Sequence, residues 1–204
     1  MLWRFMERCG AQAVAFIVQI VLARLLAPEA FGIIAIVTVF INILQVFIDS
    51  GMGNALIQKK NADDLDFSSV FYFNMTVCIV LYGLMFAVAP FIADFYNMPD
   101  LTPIIRVLSL MLIISGVRNI QQAYVSRNLM FKRFFYSTLI GTVLAAVVGI
   151  TMAYKGFGVW AVVGQQLTHS ASAAMILWIT VKWRPKLMFS FERLKGLFSY
   201  GWKL

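Results

Sequence analysis

Six apolar stretches, each about twenty residues long, restrict the possible folds of this chain more than any other feature. A helix needs about 20 residues to cross the hydrocarbon core of a bilayer. Apolar residues make up 61% of the chain and charged residues only 13%, unlike a soluble domain. We therefore predict an all-α, polytopic membrane protein with a six-helix transmembrane bundle. The predicted spans are residues 9–27, 32–56, 69–94, 102–124, 134–154 and 157–181.

Basic residues lie almost entirely in alternate connecting segments, where the positive-inside rule expects cytoplasmic loops. The opposite loops contain Lys155 alone. We therefore predict a cytoplasmic N-terminus and expect no nucleic-acid partner, because membrane orientation accounts for the formal charge of +8. The basic residues of the predicted cytoplasmic segments are Arg4, Arg8, Lys59, Lys60, Arg127, Lys132, Arg133, Lys182, Arg184, Lys186, Arg193 and Lys195.

The sequence does not favour an enzyme. Only short loops lie between the predicted spans, and the chain lacks a Walker A, an HExxH and a G-x-S-x-G motif. Cys9 and Cys78 are far apart, and we interpret them as small apolar residues rather than as metal ligands. We expect no catalytic residue, cofactor or metal.

Polar residues form a stripe along the second span. At 100° per residue, Thr38, Asn42, Gln45 and Asp49 fall within an arc of about 60°, and the rest of the helix surface is apolar. Leucine would serve at each of these positions if the helix met only lipid. We therefore predict that this face meets a polar environment.

Two further spans carry polar stripes. The stripe on the fourth span consists of Ser115, Arg118, Asn119, Gln122 and Ser126. The stripe on the sixth span consists of Gln165, Thr168, His169 and Ser172. By contrast, the fifth span has Gly141, Ala145 and Gly149 at four-residue spacing, which predicts close helix packing.

Each polar residue has a structural and a functional interpretation. The uncharged ones are either hydrogen-bonding contacts between helices or the lining of a cavity. Asp49 and Arg118 are either a structural ion pair or groups that bind an anion or a coupling cation, since charges within a span are costly. Arg24 either extends to the interface or contacts substrate, and His169 either packs or carries a proton.

Residues 1–181 are predicted to form the transmembrane lobe, and residues 182–204 a basic linker followed by the start of a seventh helix. The segments at 126–135 and 182–195 mix basic with apolar residues. They are either interfacial helices or plain cytoplasmic loops.

Five segments together resemble Wzx-type lipid-linked oligosaccharide flippases, of the colanic-acid and teichuronic-acid exporter branch. These proteins belong to the multidrug/oligosaccharidyl-lipid/polysaccharide exporter superfamily, and the resemblance covers nearly the whole chain. The segments are ARLLAPEAFG at 23–32, ALIQKK at 55–60, SRNLMFKR at 126–133, GFGVWAVVGQQ at 156–166 and the terminal FSYGWKL.

The resemblance implies one lobe of a two-lobe inner-membrane transporter that works by alternating access. Its implied substrate is an undecaprenyl-pyrophosphate-linked repeat unit, and its implied partner is a missing second lobe or a second copy of the chain. We expect an arginine to bind pyrophosphate, and Asp49 or His169 to carry a coupling proton. The candidate substrate-binding residues are Arg24, Asn42, Gln45, Asp49, Arg118, Gln165 and Ser172.

Three alternatives remain at this point. A cation-coupled drug or metabolite antiporter of the same superfamily would share the fold, although the inner basic residues fit an anionic lipid-linked substrate better. A membrane-embedded glycan-processing enzyme would need a large outer loop or a paired acid and base. A passive scaffold would not need three polar stripes.

Overall fold

The computed structural model describes residues 2–48, 52–59 and 62–201 of the chain. These residues form α-helices joined by turns and loops, with no strand among them, which confirms the all-α class. In chain order the helices are α1 (Leu2–Leu25), α2 (Pro28–Ile48), α3 (Met52–Gln58), α4 (Asp64–Phe95), α5 (Leu101–Leu108), α6 (Leu110–Arg127), α7 (Phe131–Tyr154), α8 (Val159–Thr180) and α9 (Phe191–Gly201).

Helices occupy all six predicted spans, but not all of these helices are long and apolar enough to cross a membrane. Four segments are long and apolar enough to cross a membrane, namely Pro28–Ile48, Asp64–Phe95, Leu101–Arg127 and Lys132–Tyr154. The apolar part of α1 is shorter, and the polar stripe of α8 lowers its mean hydropathy. The multi-pass membrane class is thus confirmed, and the count of six crossings stays a prediction.

Several helix bounds differ from the predicted spans. Helix α1 begins at Leu2 rather than at residue 9, and α2 (Pro28–Ile48) and α3 (Met52–Gln58) cover the described part of the predicted second span at 32–56. The fourth span is not continuous, because Ser109 separates α5 from α6 and its hydroxyl donates to the Ile105 carbonyl at 2.6 Å. Such bonds back along a helix compete with its own ladder and bend it. The helix of the third span begins at Asp64 rather than at residue 69, because a capping box formed by Asp63 and Asp66 starts it within a polar stretch.

Neither amphipathic connection is helical throughout. Between α6 and α7 there is no separate interfacial helix, only a turn in which Leu129 has a φ of 53°. Residues 181–190 are likewise not helical, and the helix of that region, α9, begins at Phe191. This stretch runs beside the start of α4, where the backbone N–H groups of Lys186 and Ser190 donate to the hydroxyls of Ser68 and Ser69.

Buried apolar side chains form two clusters, one towards each end of the bundle. One joins α1, α2, α4, α5 and α8 through residues such as Leu22, Val37 and Leu108. The other joins α3, α4, α6, α8 and α9 through residues such as Leu56 and Phe67. Other large apolar side chains point outward, as expected for lipid contact.

Candidate functional site

A cavity of about 730 Å³ lies between α1, α2, α7 and α8, and we call it the polar cavity. Its volume lies within the range of about 300 to 1,000 Å³ that is usual for small-molecule sites. Apolar residues, such as Leu22 and Phe31, form much of its wall. The polar residues that line it are Gln19, Thr38, Asn42, Thr142, Gln165, Gln166, His169 and Ser170.

One wall of the polar cavity is the predicted polar face of α2. Thr38 and Asn42 line the cavity, together with the small residue Ala35 from the same face. Gln45, one turn further along, is partly exposed and lies outside the lining. Asp49 lies outside the described residues, so its pairing with Arg118 stays a prediction.

The opposite wall comes from α8. Gln165 and His169 of the predicted stripe line the cavity, whereas Ser172 is partly buried and lies outside the lining. The structure therefore brings together three candidate residues from two helices, namely Asn42, Gln165 and His169. Ser170, which is buried, joins them from the same helix.

Small residues of α7 hold α8 close, as the four-residue spacing predicted. A Cβ added to Gly141 would lie 3.3 Å from the backbone oxygen of His169. A Cβ added to Gly149 would lie 2.9 Å from the Cβ of Gln165. The close approach confirms the packing prediction, and it places both residues of α8 at the edge of the polar cavity.

The stripes did not identify every polar residue of the cavity. Gln19 is an isolated amide in an otherwise apolar part of α1, and its position inside a predicted span was the available signal. Thr142 follows Gly141 in α7, and its hydroxyl donates to the Thr138 carbonyl at 2.8 Å. Such a bond is common for threonine in any helix, so no sequence signal marked Thr142.

The two candidate arginines lie outside the lining of the polar cavity. Arg24 is exposed in the last turn of α1, where a positive charge complements the helix dipole. Arg118 is partly buried on α6 and lies within electrostatic range of His169.

At one end of the bundle, which we call the basic end, three aspartates around the start of α4 pair with basic residues. Nζ of Lys59 lies 2.6 Å from Oδ2 of the buried Asp66, and NH1 of Arg193 lies 3.5 Å from Oδ1 of the same carboxylate. Lys186 pairs with Asp64 at 2.6 Å. Residues from α4, α9 and two connecting segments therefore meet here.

Asp63 caps α4 at the basic end. The backbone N–H of Asp66 donates to Oδ1 of Asp63 at 2.9 Å, and this hydrogen bond holds the pKa of Asp63 below its ordinary value. The positive charges of Arg193 and Lys59 act in the same direction. Arg193 lies 3.7 Å from the Asp63 carboxylate.

A sequence profile decides the family of the chain. The profile described as "Polysaccharide biosynthesis protein" matches residues 21–204. The chain belongs to this family. Membership in the polysaccharide biosynthesis protein family confirms the resemblance to polysaccharide exporters that the sequence segments indicated.

Three curated relatives are similar to this polysaccharide biosynthesis protein. The succinoglycan biosynthesis transport protein ExoT of Rhizobium meliloti (strain 1021) is 24% identical over 98% of this chain and 41% of its own length. The teichuronic acid biosynthesis protein TuaB of Bacillus subtilis (strain 168) is 26% identical over 77% of the chain and 33% of its own length. The lipopolysaccharide biosynthesis protein WzxC of Escherichia coli (strain K12) is 26% identical over 89% of the chain and 37% of its own length.

The chain thus spans 41% or less of the length of these three relatives. No solved structure gives a significant match. The comparisons therefore establish the family, and the site must be interpreted from the chemistry of its side chains.

The polar cavity of this polysaccharide biosynthesis protein is suited to neutral, hydroxyl-rich ligands. Each carboxamide offers two donors and a carbonyl acceptor, and each hydroxyl offers a donor and an acceptor. Asn42, Gln165 and Gln166 supply carboxamides, and Thr38 supplies a hydroxyl. Thr142 offers an acceptor oxygen, because its hydroxyl donates to the Thr138 carbonyl. Such groups can exchange hydrogen bonds with sugar hydroxyls without the cost of burying a charge.

Proposed function

We propose that this chain forms one lobe of a transporter that flips an undecaprenyl-pyrophosphate-linked oligosaccharide repeat unit across the inner membrane. The repeat unit would serve the synthesis of a surface polysaccharide or exopolysaccharide. The observation that carries the proposal is the polar cavity, in which uncharged hydrogen-bonding side chains of α1, α2, α7 and α8 face one space of about 730 Å³. Family membership supports the proposal, as does the similarity to a succinoglycan biosynthesis transport protein and a lipopolysaccharide biosynthesis protein.

In this proposal the glycan and the pyrophosphate bind to different groups. Asn42, Gln165 and Gln166 bind sugar hydroxyls in the polar cavity. Arg118 binds the pyrophosphate, because its guanidinium can form two parallel hydrogen bonds to phosphate oxygens. Helix α6 also contributes Met111 to the lining of the polar cavity, two turns before Arg118 on the same face, which supports a phosphate position beside the cavity.

Transport needs a second lobe, because alternating access requires two bodies that move around a site. We propose that the partner is a second lobe or another copy of this chain. Binding of a proton by Asp49 or His169 would favour one orientation of the lobes over the other, which is what coupling requires. The position of His169 in the lining of the polar cavity supports this assignment.

The orientation is part of the proposal. The ion pairs of Lys59, Lys186 and Arg193 gather at one end of the bundle, which supports a cytoplasmic basic end and a cytoplasmic N-terminus. Lys155 follows α7 at the opposite end of that helix from the α6–α7 turn. This end would face away from the cytoplasm.

Complementation with the full-length gene tests the function. In a strain that lacks its own flippase, lipid-linked repeat units should accumulate on the cytoplasmic side, and the wild-type gene should relieve the accumulation. Gln165→Leu and Arg118→Ala should each reduce the relief about tenfold at equal expression, since each removes hydrogen bonds to substrate. Gln12→Leu is the matched control, because Gln12 is exposed on α1 and lies outside the cavity lining.

The possible results separate the substrate class from the site. If the wild-type gene gives no relief, the substrate class is wrong. If Gln165→Leu and Arg118→Ala both retain full activity, the site assignment is wrong. Resistance to cationic dyes without relief of accumulation would identify the drug antiporter instead, and Asp49→Asn should then abolish that resistance.

A further inference from the structure

A second cleft lies between α3 and α6, and it shares no residue with the polar cavity. We call it the α3–α6 cleft, and its volume is about 350 Å³. Helix α6 supplies residues at spacings of three and four, which all lie on one face. The cleft is lined by Gly53, Asn54 and Ile57 of α3 and by Asn119, Gln122, Ala123 and Ser126 of α6.

Specific contacts hold the walls of the α3–α6 cleft. NH1 of Arg127, at the end of α6, donates to the carbonyl oxygens of Leu56 at 2.7 Å and of Lys59 at 2.5 Å. These bonds attach the C-terminal end of α3 to α6 by satisfying carbonyls that have no partner within the helix. Beneath them, Ala55 and Leu56 are fully buried. The cleft is therefore bounded by anchored helices.

Gly53 keeps the cleft open. A Cβ added to Gly53 would meet no heavy atom within 4 Å. The glycine is partly exposed and borders the cleft beside Asn54. A side chain at this position would therefore start in open space at the border of the cleft.

The chemistry of the lining indicates the ligand class. Asn54, Asn119 and Gln122 offer carboxamides, Ser126 offers a hydroxyl, and among the described residues that line the cleft none is charged. Carboxamides and hydroxyls both donate and accept hydrogen bonds, as sugar hydroxyls do. Ile57 adds an apolar surface for the C–H face of a sugar ring. The volume is at the lower end of the usual range for ligand sites, about 300 to 1,000 Å³.

We propose that the α3–α6 cleft binds a sugar ring of the transported glycan near the basic end of the lobe. This inference rests on the proposed function and adds to it a glycan subsite outside the polar cavity. Arg127 and Lys59 place the cleft at the end that would face the cytoplasm, where the substrate is loaded. The subsite would therefore select the glycan before it reaches the polar cavity.

Binding to the full-length protein in lipid nanodiscs tests the subsite. Two probes are compared: undecaprenyl pyrophosphate that bears the repeat unit, extracted from cells that make it, and undecaprenyl pyrophosphate without sugar. Gly53→Leu should weaken binding of the glycan-bearing lipid about tenfold and leave the sugar-free lipid within twofold. Gln122→Leu should act in the same direction. Gly83→Leu is the matched control, since Gly83 is an exposed glycine whose added Cβ also meets nothing within 4 Å.

Each outcome decides the inference. If both variants bind the glycan-bearing lipid more weakly and the sugar-free lipid as tightly as wild type, the subsite is supported. Unchanged binding in both variants, or equal loss of both lipids, overturns it while the proposed function stands. If the wild-type protein binds neither lipid, the proposed function fails and the subsite fails with it.

Discussion

Nζ of Lys59 lies 2.6 Å from Oδ2 of Asp66, a carboxylate that is fully buried in the first turn of α4. The other oxygen of Asp66 faces NH1 of Arg193 from α9 at 3.5 Å. One buried charge therefore links the segment after α3, the start of α4 and α9. Removal of that charge would leave two basic groups without this partner.

Asp66→Ala should destabilise the protein by about 1 to 2 kcal/mol, because it removes the N3 side chain of the capping box and the buried partner of Lys59 and Arg193, whose own charges stay partly exposed to solvent. The free energy of unfolding can be measured by denaturant titration in detergent. Asp94→Ala, at the exposed far end of the same helix, is the control and should change stability little. A loss of equal size in both variants would contradict the structural role of Asp66.

The cap of α4 predicts a pH dependence. The pKa of Asp63 is lower in the folded state than in the unfolded state. The ionised Asp63 side chain therefore stabilises the fold fully above the unfolded pKa of about 3.9. This stabilisation is lost as the pH falls through the lower pKa of the folded state. Asp63→Ala should lower the free energy of unfolding by about 1 kcal/mol at neutral pH. In this variant the free energy of unfolding should also fall less steeply as the pH is lowered. Thermal unfolding between neutral pH and strongly acidic pH measures both effects.

Asp100→Ala is the control for the cap. Asp100 also precedes a helix, but its side chain makes no capping hydrogen bond. Asp100→Ala should therefore leave the melting temperature, and the change of that temperature with acid pH, nearly unchanged. A similar loss in both aspartate variants would show that the capping bond of Asp63 contributes nothing.

Gly116 permits the close contact of α6 with α4. A Cβ added there would lie 2.6 Å from Sγ of Cys78 and 3.2 Å from its Cβ. Gly116→Ala should therefore destabilise the protein by about 1 to 3 kcal/mol through overpacking. In a double-mutant cycle, adding Cys78→Ala should recover part of the lost stability. Gly83→Ala is the control, because its added Cβ meets no atom within 4 Å, and it should not lower the stability. Independent effects of the two substitutions would refute the steric contact.

Filling the polar cavity should stop transport without unfolding the lobe. Ala35 lines the cavity and is exposed, so Ala35→Leu adds volume to an open space rather than to a packed core. Relief of repeat-unit accumulation should fall at least about tenfold, while the protein level and melting temperature stay near wild type. Ala87→Leu, on the exposed surface of α4, should transport normally. Normal transport by Ala35→Leu would remove the polar cavity from the mechanism.

The proposed orientation predicts which end of α7 a membrane-impermeant reagent can reach from outside the cell. This helix has 24 residues, or about 36 Å at 1.5 Å per residue, so its ends lie on opposite sides of a bilayer. In a background with Cys9→Ser and Cys78→Ala, an impermeant maleimide should label Phe157→Cys in intact spheroplasts and Asn128→Cys only after lysis. The reverse pattern would place the basic end outside.

Helical periodicity made much of the polar cavity predictable. Thr38 and Asn42 share a face of α2, and Gln165 and His169 share a face of α8, because a helix turns 100° per residue whatever surrounds it. The small residues Gly141 and Gly149 also marked where α7 and α8 approach. Periodicity does not say which face meets which neighbour, so the role of Thr142 was not foreseen.

The membrane class, the helices and the residues that share each polar face could all be predicted from the sequence, since they follow from hydropathy and from the geometry of a single helix. How these faces meet was set by the tertiary fold. It joined the α2 and α8 stripes in one cavity, turned Asn119 and Gln122 of α6 towards α3, and paired Arg193 with Asp66 across 127 residues. The physical reason is that these contacts depend on packing between distant segments, which no local repeat encodes.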